Sequence, residues 1–381
     1  MKKKIAYISG GRMDFGLMTS VLDHIIKSKF LDLQLYYTGL HLMEKHGKSE
    51  NLIKKQYPFA KTISASFDKS GSNSMNLFLK DFTENLVKVF LKNKPDIVIV
   101  LGDRIEMLAT AMVALYFKIP IAHIHGGDKT RHIDEVARHA ITKLSHLHFV
   151  ATDDAADRVK RMGEEDWRIF NVGAPGLDNI LSEKTMDRDR LMKFLRLNNS
   201  DKYLLVWQHP VFEEIKNVSD QIKETVAAVK YFKTPVVFIY PNADPGSKEI
   251  IKTIDKEKKN PFFRIFPNVD RETFISLERH ALVWVTNSSA GVIESASFHK
   301  PVVNLGKRQE GRIKAENVID VDFKRKEIIK VIEKCQSNKV FLEKIKKIKN
   351  PWGDGKAGFR ISNVLERIRL DEKLWNKQIS Y

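Results

Sequence analysis

The sequence predicts an α/β protein built from two Rossmann-like, doubly wound domains that face each other across a cleft. Three observations predict it. Apolar, strand-like runs alternate with amphipathic helix patterns through the first half, and the cycle restarts near residue 200. Several of the runs are continuously apolar, as strands buried on both faces of a parallel sheet are. The length of 381 residues exceeds one ordinary core and suits two domains of roughly 150–200 residues each.

The elements follow in order. "KIAYIS" reads as a strand. "FGLMTSVLDHIIKS" reads as a helix whose face is Leu17, Met18, Val21, Leu22, Ile25 and Ile26. "LDLQLYYTG" is strand-like again, and "PDIVIVLGD" is a short buried strand. The helix "RIEMLATAMVALYFK" and the strand "IPIAHIH" complete the repeated β-α-β order. In the second half the strands read "YLLVWQHP", "PVVFIYP", "FFRIFP", "ALVWVTNSS" and "PVVNLG". The polar, charged stretch "SEKTMDRDRLMKFLRLNNSDK" marks the boundary. Domains of 1–182 and 183–381 are expected, with the last helix packing back on the first. The sequence contains no internal repeat and no low-complexity tract.

Composition narrows the class. A hydrophobic content of 43% with 30% charged residues describes a soluble globular chain. "MKKKIAYISGGR" lacks the long apolar core and cleavage site of a signal peptide. No stretch approaches the roughly 20 apolar residues that cross a bilayer. Cys335 is the single cysteine, so no internal disulfide or cysteine cluster can form. A cytoplasmic protein without a membrane partner is expected. The net charge of +17 suits either a polyanionic partner or a lysine-rich solvated surface. The second reading is favoured. "KRKEIIKVIEKCQSNKVFLEKIKKIK" interleaves its charges with Ile, Val and Leu at helical spacing, and no nucleic-acid motif accompanies it.

Ligands of open α/β sheets sit at the carboxyl ends of the strands, which selects five loops. In "SGGRMDFG", Gly10 and Gly11 allow a tight turn into a helix N-terminus, and Arg12 and Asp14 either contact a ligand or pair locally. The loop is neither a dinucleotide fingerprint nor a P-loop. In "LGDRIE", Asp103 either faces the cleft or caps the next helix. "HIHGGDKTRHIDEVARHAITKLSHLHF" holds six of the chain's 12 histidines. Here His123 and His125 are expected on one strand face, Asp128 follows, and Asp134 and Glu135 open a helix. Histidine pairs can chelate a metal, but no third ligand, HExxH or cysteine pair completes a zinc set, so no metal and no cofactor is expected. In "WQHPVFEE", His209 closes a strand of the second domain. In "VTNSSAGVIESAS", Asn287, Ser288, Ser289 and Gly291 suit a pyrophosphate, with Glu294 placed for ribose hydroxyls. The plain alternative is a serine N-cap.

Together "GDRIEMLA", the histidine-rich stretch, "RMGEEDWRIFNVGAPGLDNI", "TNSSAGVIESASF", "NLGKRQEGR" and "NPWGDGKAGFRI" resemble the hydrolysing UDP-N-acetylglucosamine 2-epimerase family of sialic and legionaminic acid synthesis. The resemblance runs nearly end to end. It implies the GT-B fold, with the nucleotide-sugar as substrate in the cleft between the domains. It also implies elimination of UDP to a glycal, followed by hydration to the free manno sugar. On this resemblance Asp103 and Asp134 match catalytic acids, with Glu135 as partner and His209 as the cleft histidine. Ser288, Ser289 and Gly291 match the phosphate turn and Glu294 the ribose contact. Arg12 matches the loop arginine that reaches the nucleotide. Lys307, Arg308, Gln309 and Arg312 lie in the matching basic loop. Two departures stand out. The first loop reads "GGRMDFG" rather than G-T-R-A-D-Y-G. His125 stands where members making N-acetylmannosamine carry glutamate, which leans toward a 2,4-diacetamido-6-deoxy (diacetylbacillosamine) substrate. A homodimer or homotetramer is expected. A non-hydrolysing epimerase or a glycosyltransferase of the same fold is the alternative.

Overall fold

The computed structural model describes residues 2–44, 49–67, 74–129, 134–241 and 244–380, without the side chains of Asp134 and Phe212. The chain divides into two compact units, Met1–Asn179 with Trp352–Tyr381, and Ile180–Pro351.

Within the N-terminal unit the order is β1 (Lys3–Ser9), α1 (Arg12–Lys27), β2 (Leu31–Tyr37), α2 (Glu50–Gln56), β3 (Lys61–Thr62), α3 (Ser74–Lys92), β4 (Ile97–Leu101), α4 (Ile105–Tyr116), β5 (Ile121–Ile124), α5 (Asp134–Leu144), β6 (Leu147–Val150), α6 (Asp153–Arg161), β7 (Ile169–Asn171) and α7 (Pro175–Ser182). The C-terminal unit continues with α8 (Arg188–Leu195), β8 (Leu204–Trp207), α9 (Val218–Lys230), β9 (Val236–Ile239), α10 (Ser247–Asp255), β10 (Phe263–Phe266), α11 (Arg271–His280), β11 (Val283–Thr286), α12 (Ser289–Ile293), β12 (Val302–Leu305), β13 (Val318–Val321), α13 (Arg325–Ser337) and α14 (Lys339–Ile345). The last two helices, α15 (Ala357–Arg367) and α16 (Glu372–Trp375), belong to the first unit.

Each unit is a parallel sheet with the doubly wound strand order, β3-β2-β1-β4-β5-β6-β7 in the first and β10-β9-β8-β11-β12-β13 in the second. Strands β4 and β8 are buried along their whole length, as parallel strands covered on both faces must be. In α1 the buried stripe is Phe15, Met18, Val21, Leu22 and Ile25. Leu17 and Ile26, expected on that face, flank it and stay 42% exposed, because the stripe advances by three and four residues and they fall outside it.

The charged stretch at 182–202 begins just after the division between the units at Asn179–Ile180. It contains α8, which Asp187 caps by accepting from the Arg190 amide at 2.8 Å. Leu191, Met192 and Leu195 of that helix are buried in the core of the second unit. The strand order reverses between β1 and β4 in one unit and between β8 and β11 in the other. Those are the points where such sheets open a crevice for ligand.

The terminal segment is bound tightly to the first unit. Arg168, fully buried, donates to the carbonyls of Lys373 at 2.8 Å, Leu374 at 2.9 Å and His146 at 3.2 Å. Lys3 Nζ donates to the carbonyls of Leu365, Glu366 and Ile368 at 2.6–3.0 Å. Glu164, also buried, accepts from His148 Nε2 at 2.9 Å and from Lys143 and Lys377 at 2.7 Å.

Candidate functional site

In the N-terminal unit the loops after β1, β4 and β5 converge. After β1, Asp14 is buried and accepts from Ser9 Oγ at 2.6 Å, Tyr7 Oη at 2.9 Å and the Gly10 amide at 3.2 Å. Burial pushes its carboxyl up to about 6, although the Ser9 and Tyr7 bonds pull it down. Asp14 thus ties the loop together locally, while Arg12 at the start of α1 is exposed. Gly10 meets the β4 loop so closely that a Cβ there would lie 2.3 Å from Glu106 Oε1. Glu106 is fully buried and held by Arg104 at 2.7 and 3.2 Å.

Asp103 does not cap α4, whose N-cap is Arg104. It pairs instead with Arg138 Nη2 from α5. The other end of the same guanidinium donates to the Asp128 carbonyl at 2.7 Å. Asp128 in turn accepts from His125 Nδ1 at 2.8 Å. One buried guanidinium therefore gathers Asp103, Asp128 and His125 at neighbouring strand ends.

His125 is not on the strand. Strand β5 ends at Ile124, and His125 takes φ +63°, a conformation a side-chain-bearing residue adopts at a cost of order 1–2 kcal/mol. The turn carries it away from His123, so the expected shared face is corrected. Gly127 follows at φ +79°, where a Cβ would stand 2.5 Å from the Ala155 carbonyl oxygen.

The other described histidines of the stretch divide clearly. His123 is buried, with Nε2 against the Gly102 carbonyl at 2.8 Å and Nδ1 against Thr142 Oγ1 at 3.2 Å. Burial lowers it to about 3, so it is a neutral link between β5, the β4 loop and α5. His146 accepts the Ile121 amide at 3.2 Å, and burial lowers it to about 4. His148 is spent on Glu164. Among the described residues no group of three His, Cys, Asp or Glu side chains is placed to hold a metal ion. His132 and the side chain of Asp134 lie outside the described residues. Glu135 is half-buried with His139 Nε2 at 3.5 Å one turn on.

In the C-terminal unit the loops after β8 and β11 meet at the strand reversal. The buried Asn287 side chain accepts the His209 amide at 2.8 Å and donates to the His209 carbonyl at 2.7 Å. These two bonds fix the backbone that carries His209. Ser288 is an N-cap, its hydroxyl accepting the Ala290 amide at 3.4 Å. The Ser288 amide donates to Thr286 Oγ1 at 3.0 Å and the Gly291 amide to the Ser288 carbonyl at 3.2 Å. Three amides expected to be open to an anion are thus already engaged. Helix α12 spans only Ser289–Ile293, so its dipole is slight. Positive charge comes from the β12 loop, where Arg308 Nη1 donates to the Asn287 carbonyl at 3.1 Å and Gln309 joins it at 3.0 Å. Arg312 lies in the same loop, its amide donating to the Gln309 carbonyl at 3.4 Å. Glu294 closes α12 as its C-cap.

Arg138 escaped the sequence reading as a site residue. A signal was present: it stands four residues after Asp134, on the same helix face.

Residues 23–366 match the UDP-N-acetylglucosamine 2-epimerase family. The chain is 37% identical to the hydrolysing UDP-N,N'-diacetylbacillosamine 2-epimerase of Legionella pneumophila, over 100% of both chains. It is 33% identical to the GDP/UDP-N,N'-diacetylbacillosamine 2-epimerase (hydrolysing) of Campylobacter jejuni, over 88% of each. Its fold is similar to that of the MnaA–UDP complex of S. aureus, with a TM-score of 0.77 and 96% of each chain covered at 21% identity.

Proposed function

Since the chain belongs to the UDP-N-acetylglucosamine 2-epimerase family, we propose that it is a hydrolysing nucleotide-sugar 2-epimerase. It converts UDP-diacetylbacillosamine, or UDP-N-acetylglucosamine, to UDP and the free manno-configured sugar for nonulosonic acid synthesis. The observation that carries the choice of reaction and favours the diacetamido sugar is the full-length 37% identity to a hydrolysing UDP-N,N'-diacetylbacillosamine 2-epimerase.

The geometry supports the chemistry. Elimination needs a base for the carbon 2 proton, an acid for the opposite face of the glycal, and charge to receive the leaving diphosphate. An ionised Asp128 can only accept, so His125 carries its proton on Nδ1 and offers the Nε2 lone pair as a base. Asp103, held by Arg138, is a second acid–base group a short way along the strand ends, and Asp134 with Glu135 opens the helix that carries Arg138. In the second unit Arg308 and Arg312 supply charge for the diphosphate. The Ser288 and Ser289 hydroxyls and Glu294 serve phosphate and ribose. His209 and Arg12 are proposed contacts to the substrate, and Asn287 acts by holding the His209 backbone.

The test offers purified protein both sugar nucleotides and follows the products by NMR. Free UDP with a free manno sugar supports hydrolysis. A 2-epimerised sugar still joined to UDP supports the non-hydrolysing alternative and sinks this reading.

A homodimer or homotetramer is part of the proposal, supported by Leu91 at 73%, Met112 at 51% and Tyr116 at 86% exposure on α3 and α4. Light scattering decides it. A cytoplasmic location, where nucleotide-sugars are available, completes the proposal, and cell fractionation tests it.

A further inference from the structure

Three anchors from three elements hold the turn His125–Gly126–Gly127–Asp128 in one shape. The His125 amide donates to the Phe149 carbonyl of β6 at 3.0 Å. The Gly127 carbonyl accepts from Arg158 of α6. The Asp128 carbonyl accepts from Arg138 of α5 at 2.7 Å. Between the ends the packing is close: a Cβ on Gly126 would lie 2.9 Å from His123 Nδ1.

With both ends fixed, the left-handed residue at one end brings its ring to the carboxyl at the other. His125 Nδ1 meets Asp128 Oδ2 at 2.8 Å, and the two side chains are only 15% and 12% exposed. Little water competes for the bond. A strained backbone persists only where its surroundings over-determine it, and such residues cluster at active sites. Here the strain falls on the residue whose ring the turn directs.

The partner is a carboxylate, which distinguishes this histidine from its neighbour. His123 is fixed by the neutral Gly102 carbonyl and the Thr142 hydroxyl. Those partners orient a ring but add no charge. A carboxylate orients the ring and also favours the imidazolium that forms when the ring takes a proton. Arg138 leaves that carboxylate to the histidine, since its guanidinium goes to the Asp128 carbonyl and to Asp103.

We propose that Asp128 is the positioning residue of a histidine–carboxylate dyad. It keeps His125 in the tautomer with Nε2 bare and supplies the countercharge when that nitrogen takes the proton from carbon 2 of the sugar. The proposal rests on the reading that His125 is the base of the elimination. In that step the electron pair of the carbon 2–hydrogen bond becomes the second bond between carbons 1 and 2. The bond from carbon 1 to the diphosphate oxygen breaks, and its electrons leave with UDP. The proton stays on Nε2, while Nδ1–H stays on Asp128.

Asp128→Asn keeps the shape, removes the charge and can meet either tautomer with its amide. Its kcat for UDP release should fall at least about tenfold, the low end for losing the carboxylate behind a working histidine, with KM within about threefold. Exchange of the carbon 2 proton with solvent should slow by a similar factor. Asp128→Glu restores a carboxylate on a longer arm and should lie between wild type and Asp128→Asn.

The experiment measures UDP release from UDP-diacetylbacillosamine and UDP-N-acetylglucosamine by the wild type and both variants, with nitrogen-15 NMR of the histidine rings at mildly alkaline pH. In the wild type the neutral His125 ring must carry its proton on Nδ1, and in Asp128→Asn the Nε2–H form should appear. A wild-type ring protonated on Nε2 overturns the proposal, and this reading decides alone if Asp128→Asn does not fold. A loss confined to KM, or an Asp128→Asn more active than Asp128→Glu, overturns it too. If the wild type releases UDP and a folded Asp128→Asn matches its kcat, this inference alone fails. If the wild type releases UDP from neither sugar nucleotide, the proposed reaction is wrong and this inference falls with it.

Discussion

Replacing Arg138 by methionine removes the guanidinium that joins Asp103 to the turn after β5. The side chain is almost buried, 6% exposed, whereas Asp103 keeps 21%. The guanidinium makes two charge-assisted hydrogen bonds, to Asp103 and to the Asp128 carbonyl. A bond of that kind contributes about 1.5–3 kcal/mol. Water will reach the half-open Asp103 and offset part of the loss, and methionine refills the volume of the aliphatic stem. A net destabilisation of about 2–4 kcal/mol is expected, near the lower end for breaking a buried pair. Arg138→Lys keeps the charge but cannot fork to both partners, so it should fall between wild type and methionine. Urea unfolding of Arg138→Met, Asp103→Asn and the double variant measures the pair directly, with a coupling of at least about 1 kcal/mol expected. Release of UDP should fall at least about tenfold in folded Arg138→Met, because Asp103 and His125 lose their common anchor. An unchanged urea midpoint with additive single effects would refute the claim that Arg138 organises the site.

Asp103→Asn and Asp134→Asn should each lower turnover by at least about a hundredfold while folding survives; near-normal UDP release by both variants contradicts their assignment. His125→Gln should slow exchange of the carbon 2 proton with solvent, or alter the preference between the two sugar nucleotides, and a match to wild type in rate, exchange and preference makes His125 structural. Ser289→Asp sets a carboxylate against the proposed diphosphate and should weaken UDP binding strongly, as read by calorimetry. Glu164 has its carboxyl held at about 2, below the ordinary 4.5, because the His148, Lys143 and Lys377 contacts outweigh its burial. Its stabilisation is therefore complete above about pH 4.5 and lost as pH falls toward 2, so acid unfolding should begin at higher pH in Glu164→Gln than in wild type.

The fold was legible where one period ruled. Strand β4 and helix α13, with Ile328, Ile332 and Cys335 buried at spacings of four and three, follow their apolar pattern. Strands β7 and β13 were not read, since "IFN" and "VIDV" lie at the sheet edges and keep only partial burial. Helix α8 was not read as a helix because its core face is three residues in a charged stretch. At the candidate site the strand-end rule found Asp103, His125 and the serine turn. It could not find the partners. That Arg138 grips Asp103 and that Asn287 grips His209 depends on contacts between distant segments. The left-handed turn at His125 was equally invisible, because a histidine gives no glycine-like warning of it.

The N-terminal unit is interrupted by the other: Ile180–Pro351 is spliced between its two parts. Arg168 is made early, yet the carbonyls of Lys373 and Leu374 that satisfy it lie 205 and 206 residues away in the chain. At a synthesis rate of roughly 5–20 residues per second the arginine waits about 10–40 s for them. The C-terminal unit, contiguous in sequence, can finish folding during that interval. The unit that begins first is then the one that matures last, and a stalled ribosome should expose Arg168 and the sockets of α15 and α16 to chaperones or proteases.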